Sequence, residues 1–251
     1  SILNGGTVEK NNLIRSQIPI KLLHEVVKHE LLSNNIKSEL IRPSLSKSSG
    51  ELTLTGFFKK KDQDICVIPN NIGPQRESIN LLGILNNQVD DYGYNFTQKT
   101  MAINVRSQLS SLAKNFDTLY ERTFAEALNL HLRCPKMVLG ELYLISVKEY
   151  DSKSANNKKI VYNQNINHVE KYILAFNAIN NRKNIEDEHY KYEKICLLVI
   201  DFSKKMPKIY STNSELVSDK LLPSKTKANM DDLRFDIFIK ELVKIYQTRF
   251  G

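Results

Sequence analysis

A chain of 251 residues with 41% hydrophobic and 25% charged residues is long enough to bury a sizeable core, which excludes a disordered or low-complexity protein. Its 36 Lys and Arg outnumber 28 Asp and Glu, and the net charge of +8 favours a polyanionic partner or an anionic surface. No apolar run approaches the ~20 residues that span a bilayer; the opening SILNGGTVEK lacks the basic and apolar regions of a secretory signal, and three scattered cysteines without zinc spacing read as reduced thiols of a cytoplasmic protein.

Residues 1–18 are polar, with Gly5 and Gly6, and read as a loosely held N-terminal arm. From Pro19 the spacing of Leu22, Leu23, Val26 and Val27 predicts a helix ending near Asn34 and Asn35. Glu30 falls on or beside that apolar stripe, where a carboxylate needs a partner or a metal, unless the helix frays near His29 and Glu30 reaches water. Residues 36–69 predict two or three strands: IKSELIRP, then, after a Ser-rich turn, ELTLTGFF and the short apolar ICVIP. Between the last two lies KKKDQD, which reads as a charged turn whose final residue, Asp64, is held at the entrance of the strand that follows. Residues 70–98 read as an insertion of turns around an apolar patch, Leu81 to Leu85, ending in a solvated loop with Asp90 and Asp91.

The stretch from Lys99 to Arg133 organises the rest. Met101 to Val105 is a β-prone run ending abruptly in Arg106, Ser107 and Gln108, and alternation puts Asn104 and Arg106 on one face. A polar loop follows, then a helix carrying Leu119, Phe124, Ala127, Leu128 and His131, with Asp117 or Thr118 as its cap and Glu121 and Glu126 in its first turns. Leu139 to Val147, around Gly140 and Glu141, gives the strongest strand signal. A polar loop at 151–159, a helix bearing Val169, Tyr172, Ile173 and Phe176, a buried strand in EKICLLVIDFSK, a second polar loop at 211–229 and an amphipathic terminal helix complete the chain. The sum is one α/β (α+β) domain over residues 1–251, a central mixed sheet flanked by helices, with residues 202–251 as a C-terminal loop and helix. There is no phosphate-cradling Gly-rich loop, and none of the five His lies near a convincing Ser or Cys nucleophile.

A helix with Glu, a strand, LTLTGFF, a charged turn, Asp64 opening a strand, AINVRSQ closing the next, then a small-residue loop and a helix: over roughly residues 20 to 150 this order resembles the core of the PD-(D/E)xK nucleases, and more narrowly the type II restriction endonucleases. The resemblance implies a restriction-endonuclease-like fold, Mg²⁺-dependent hydrolysis of double-stranded DNA at a specific site, and a homodimer matching a palindrome, with no nucleotide cofactor and no membrane. In that family an Asp at one strand's start and an acid at its neighbour's end hold the metal, and with the Lys beside that acid they position the attacking water. The residues matching the metal positions are Asp64 and Asn104, and Arg106 stands where the Lys is expected. Asn supplies no charge and Arg stays protonated, so three explanations stay open. The second carboxylate has moved to the neighbouring helix, as Glu121 or Glu126, with Glu30 supplementing from the first helix; an Asn was introduced at 104 to hold DNA uncut; or the protein binds DNA without cleaving it.

Phosphate contacts call for Lys59, Lys60, Lys61, Arg106, Lys114, Arg122 and Arg133, which crowd the same region. Ser107, Gln108, Ser110, Ser111, Lys114 and Asn115 are expected to form a loop against DNA, the alternative being a solvated connection. The nuclease reading requires Asp64 to stand within a few ångströms of residues 104 and 106, so that one ion and one phosphate can share them.

Overall fold

The computed structural model describes residues 2–47, 49–163 and 168–251. Ser48, within the expected Ser-rich turn, and Ser1 of the expected arm lie outside the described residues. The arm is a helix, α1 (Ile2–Arg15), which bends at Gly6 (φ 58°), a positive φ that glycine adopts without a Cβ clash, and packs against the short helix Ser152–Asn156. Pro19 sits in the first turn of α2 (Ile18–Ser33). The strand expected in IKSELIRP is mostly a 3₁₀ turn, leaving only β1 (Ile41–Arg42).

KKKDQD is not a turn. β2 (Leu52–Thr55) pairs with β3 (Lys60–Gln63) in an antiparallel hairpin, with Leu52 opposite Gln63 and Thr55 opposite Lys60. The turn is Gly56 to Lys59, closed by the Gly56 N–H donating to the Lys59 carbonyl at 3.0 Å. Next come β4 (Ile65–Val67), a small hairpin of β5 (Glu77–Ser78) and β6 (Val89–Asp90), and α3 (Tyr94–Gln98).

β7 runs Met101–Gln108, longer than its apolar part, because its polar end still pairs with β8. The polar loop after it shrinks to three residues. α4 (Leu112–Arg133) begins well before Asp117 and Thr118, and its first amides, those of Ser111 and Leu112, donate to the Glu149 carboxylate at 2.7 and 2.9 Å. The chain continues through β8 (Val138–Ser146), α5 (Ser152–Asn156), α6 (Val169–Ala178), β9 (Lys194–Asp201), β10 (Lys208–Tyr210), α7 (Asn213–Ser218) and α8 (Phe235–Phe250). Both stretches expected as polar loops, 151–159 and 211–229, therefore hold a short helix.

The described residues form an α+β fold around a six-stranded mixed sheet in the order β1-β4-β7-β8-β9-β10; β7, β8 and β9 are parallel and the other neighbours antiparallel. β8 and β9 are buried along their whole length, as strands covered on both faces must be. On one face Ala102, Leu139, Tyr143 and Leu197 meet Ala127 and Leu130 of α4 and Tyr172 and Phe176 of α6. On the other, Ile103, Leu142 and Leu198 meet Val27 and Leu31 of α2 and Phe238, Leu242 and Val243 of α8. No helix among the described residues is long and apolar enough to cross a membrane.

Candidate active site

Register brings the polar residues to one place. Ile65 of β4 stands opposite Ile103 of β7, so Asp64, one residue before β4, lies beside Asn104. Alternation along β7 turns Ala102, Asn104 and Arg106 toward α4, and the parallel pairing of Asn104 with Glu141 adds a carboxylate from β8 to that row. α4 crosses above, presenting Thr123 and Glu126 one turn apart. The β2–β3 hairpin closes the side with Lys61 and Gln63.

Hydrogen bonds fix the arrangement. The Asp64 N–H donates to Asn104 Oδ1 at 3.2 Å, and the Val105 N–H donates to Asp64 Oδ2 at 2.7 Å. Asn104 Nδ2 donates to Gln63 Oε1 at 3.0 Å and to Glu126 Oε1 at 2.9 Å. Arg106 reaches three partners: Glu126 Oε2, Thr123 Oγ1 at 3.1 Å and, through Nε, Glu141 Oε1 at 2.9 Å. Lys61 forms a second ion pair with Glu126. Asn104, Glu126 and Glu141 are 3%, 2% and 0% exposed, so these polar groups are held by each other rather than by water. A cleft of about 600 Å³ opens over them, its walls including Lys59, Lys61, Asp64, Arg106, Arg122 and Glu126.

Charge and burial compete here. Burial, with the nearby Glu126 charge, holds the Asp64 carboxyl above the usual range against the pull of the Val105 N–H, His24 and Lys61. Burial pushes Glu141 up to about 8, although Arg106, whose Nε stands 2.9 Å from Glu141 Oε1, opposes it, and neither Glu141 oxygen accepts a well-directed hydrogen bond. For Arg106 burial works to lower the pKa, but Glu141 and Glu126 outweigh it and keep the guanidinium charged.

Asp64, Asn104 and Arg106 thus lie together, with Lys59, Lys61 and Arg122 around them. Glu126, not Glu121, is the helix carboxylate: the two are five residues, about 500°, apart, which turns Glu121 some 140° round the helix into solvent. Glu30 stays half-buried, outside the cleft walls, and its carbonyl accepts from Asn34. From α2 it is His24 that faces Asp64, across a smaller cavity of about 180 Å³ shared with Glu51. Lys60 points away and donates to the Val89 carbonyl at 2.6 Å. Arg133 turns to Asp90 at 2.7 Å and to Glu77 at 3.1 Å.

Gln108 also departs from expectation. It is buried, accepts from the Tyr143 and Tyr172 hydroxyls and donates to the Ser111 carbonyl, so it braces the end of β7 and has no group left for a ligand. Ser107 is half-buried on β7, Ser110 and Ser111 remain in the short connection, and Lys114 and Asn115 are exposed in the first turn of α4. Sequence reading missed Gln63, Thr123 and His24. It also passed over Glu141, although a carboxylate inside an otherwise apolar strand was itself a signal.

Among the described residues no group of three or more His, Cys, Asp and Glu is set to hold a metal ion. Mg²⁺ asks for less, taking one or two carboxylates and completing its shell with water and substrate phosphate. Asp64 and Glu126, which share the cleft wall, are two such carboxylates; the Asn104 oxygen is taken by the Asp64 N–H, and its nitrogen is what faces Glu126. The burial that lifts the Asp64 carboxyl is a penalty that a cation beside it would relieve, whereas the Glu126 oxygens already have Lys61, Arg106 and the Asn104 amide against them. No family model, curated protein or solved structure matches this chain, and the reading of the cleft rests on its geometry.

Proposed function

We propose that this chain is a Mg²⁺-dependent endonuclease of double-stranded DNA, built like the type II restriction endonucleases and acting as a two-fold homodimer on a palindromic site. The observation that carries the reading is the placing of Glu126 against Asn104, beside Asp64: an acid from α4 stands where the strand offers only an amide. Asp64 and Glu126 would hold the cation, which supplies Lewis acidity and a more acidic bound water. Arg106, anchored through Nε by Glu141, and Lys61 lie beside them as donors for the anionic oxygens of a phosphodiester. Arg106 cannot take a proton, so its part is to neutralise charge.

A non-cleaving DNA-binding protein is the second reading. It is favoured by the engagement of both Glu126 oxygens by Lys61, Asn104 and Arg106, which leaves the site nearly charge-balanced without a metal. Plasmid DNA incubated with the protein and millimolar Mg²⁺ separates the two: discrete fragments are expected of the endonuclease, and retarded but intact DNA of the binder. DNA neither cut nor bound would overturn both. If only Asn104→Asp cuts, the chain as it stands is the binder.

A further inference from the structure

The β9–β10 connection, residues 202–207, carries an exposed basic and apolar tip. Lys204, Lys205, Met206 and Pro207 are all exposed, Met206 to 79%, and Ile209 beyond them to 54%. A methionine held in water between lysines contributes nothing to the core. The tip is nonetheless tied down at its base: Asp201 Oδ1 accepts from the Ser203 N–H at 2.8 Å, the Tyr162 hydroxyl donates to the Phe202 carbonyl at 2.9 Å, and Lys208 stands opposite Asp201 in the strand register. Lys148 donates to Ser203 Oγ at 3.3 Å and adds a third cation at the base. The acids nearby are engaged. Asp201 closes the turn, and Asp219 binds Lys208 at 2.8 Å and the Tyr210 hydroxyl at 2.6 Å; Lys204 adds a more distant charge that helps hold the Asp219 carboxyl low, and neither Lys204 nor Lys205 makes a close ion pair with a described residue.

Topology sets this tip beside the cleft. β7, β8 and β9 are parallel, so all three end at one edge of the sheet. Arg106 lies level with Tyr143 and Leu197, which places Asp201 four residues further along, roughly 13 Å, and two strands across, roughly 10 Å. A duplex laid along that edge covers the distance in about five base pairs at 3.4 Å each.

We infer that the Lys204–Pro207 tip is a second contact for duplex DNA, with Lys204 and Lys205 on phosphates and Met206 and Pro207 as an apolar wedge in the minor groove. The inference rests on the DNA reading of the cleft. Apolar side chains flanked by basic ones are the means by which proteins enter the minor groove and kink a base step, and the excess positive charge here complements the backbone on either side. An uncharged protein partner would leave both lysines unmatched.

The test is binding of a duplex carrying a fluorophore at each end, followed by anisotropy and end-to-end energy transfer over a range of salt. The full chain is compared with Lys204→Ala/Lys205→Ala and with Met206→Ala, and melting temperatures are expected to be unchanged because the side chains are exposed. The double variant should bind several-fold more weakly, with a log Kd against log salt slope shallower by about 1.8, two contacts at ~0.9 each. Met206→Ala should keep the slope and lose the bend seen as energy transfer. If the full chain binds the duplex and the double variant matches it in slope and affinity, the tip is overturned while the DNA reading stands. If the full chain binds no duplex, the DNA reading falls and takes the tip with it. Lysine-dependent binding to phosphatidylserine vesicles without any effect on DNA would overturn the tip in favour of a membrane surface.

Discussion

Asn104 uses every polar atom it has: its oxygen takes the Asp64 amide, and its nitrogen serves Gln63 and Glu126. A carboxylate there could not donate to Glu126, and would crowd a third negative charge against Glu126 and Asp64. Asn104→Asp is therefore expected to lower stability by about 1–3 kcal/mol in chelator, and to regain more of it on adding Mg²⁺ than the unchanged chain gains, as read by thermal melting with and without the ion. Glu126 and Glu121 form a controlled pair on one helix. Glu126→Gln should reduce plasmid cleavage by about 100-fold or more, since it removes half of the charged donor set, while Glu121→Gln should cleave at an unchanged rate. Equal losses in both would remove Glu126 from its role.

At the scale of elements, α4 is the rod on which the site is assembled. Thr123, Glu126 and Asn129 follow at intervals of three residues: the first two meet Arg106, and the third grips the β2–β3 hairpin. Asn129 Oδ1 accepts from the Phe58 and Lys59 N–H groups at 2.9 and 3.2 Å, and its Nδ2 donates to the Lys59 carbonyl at 3.1 Å. The grip needs Gly56, because a Cβ there would come within 2.2 Å of the Asn129 amide. Removing the clamp takes the side-chain acceptor from the half-buried Phe58 N–H and the exposed Lys59 N–H, while the Lys59 carbonyl keeps the Gly56 N–H, so Asn129→Ala should cost about 1 kcal/mol. Because Lys61 rides on that hairpin, the same variant should lose more turnover than its stability explains, checked by kcat well below the melting temperature.

Over the whole molecule, the elements are tied together by a buried charge cluster remote from the cleft. Glu193, just before β9, accepts from Arg182 at 2.9 Å, Arg249 of α8 at 2.7 Å and the Leu139 N–H of β8 at 2.8 Å, and His131 of α4 lies 3.4 Å away. Burial alone would raise its carboxyl, but His131, Arg249 and the Leu139 amide together bring it down to about 2. The native state then binds fewer protons than the unfolded chain, so the stability this group contributes is complete above its ordinary value near 4.5 and is lost as pH falls toward 2. Glu141 has the opposite sign: raised to about 8, it favours the fold below pH ~4.5, and that contribution disappears as pH rises through 8. Urea titrations across these ranges should show an acid limb that Glu193→Gln flattens and a decline toward alkaline pH that Glu141→Gln reduces.

How much of this was legible follows from the kind of interaction involved. Apolar periodicity is a local signal, and the sequence carried the long strands β7, β8 and β9, the helices α2, α6 and α8, and the fixed place of Asp64 at the head of β4. It also carried Asn104 and Arg106 on a shared face, since alternation needs no partner to be read. KKKDQD failed because it is a strand only by virtue of pairing with LTLT, and the residues before Asp117 failed because Glu149, distant in sequence, satisfies the first amides of α4. The choice between Glu121 and Glu126 depended on the rotation of a helix against a sheet, and the part played by Glu141 on the parallel register of β8 with β7. Composition and local patterning by themselves determined that this chain folds around a mixed sheet and where its polar strand ends lie; only tertiary packing decided which acids and bases meet there, because ion pairs and registers join residues 20 to 40 positions apart that no local rule connects.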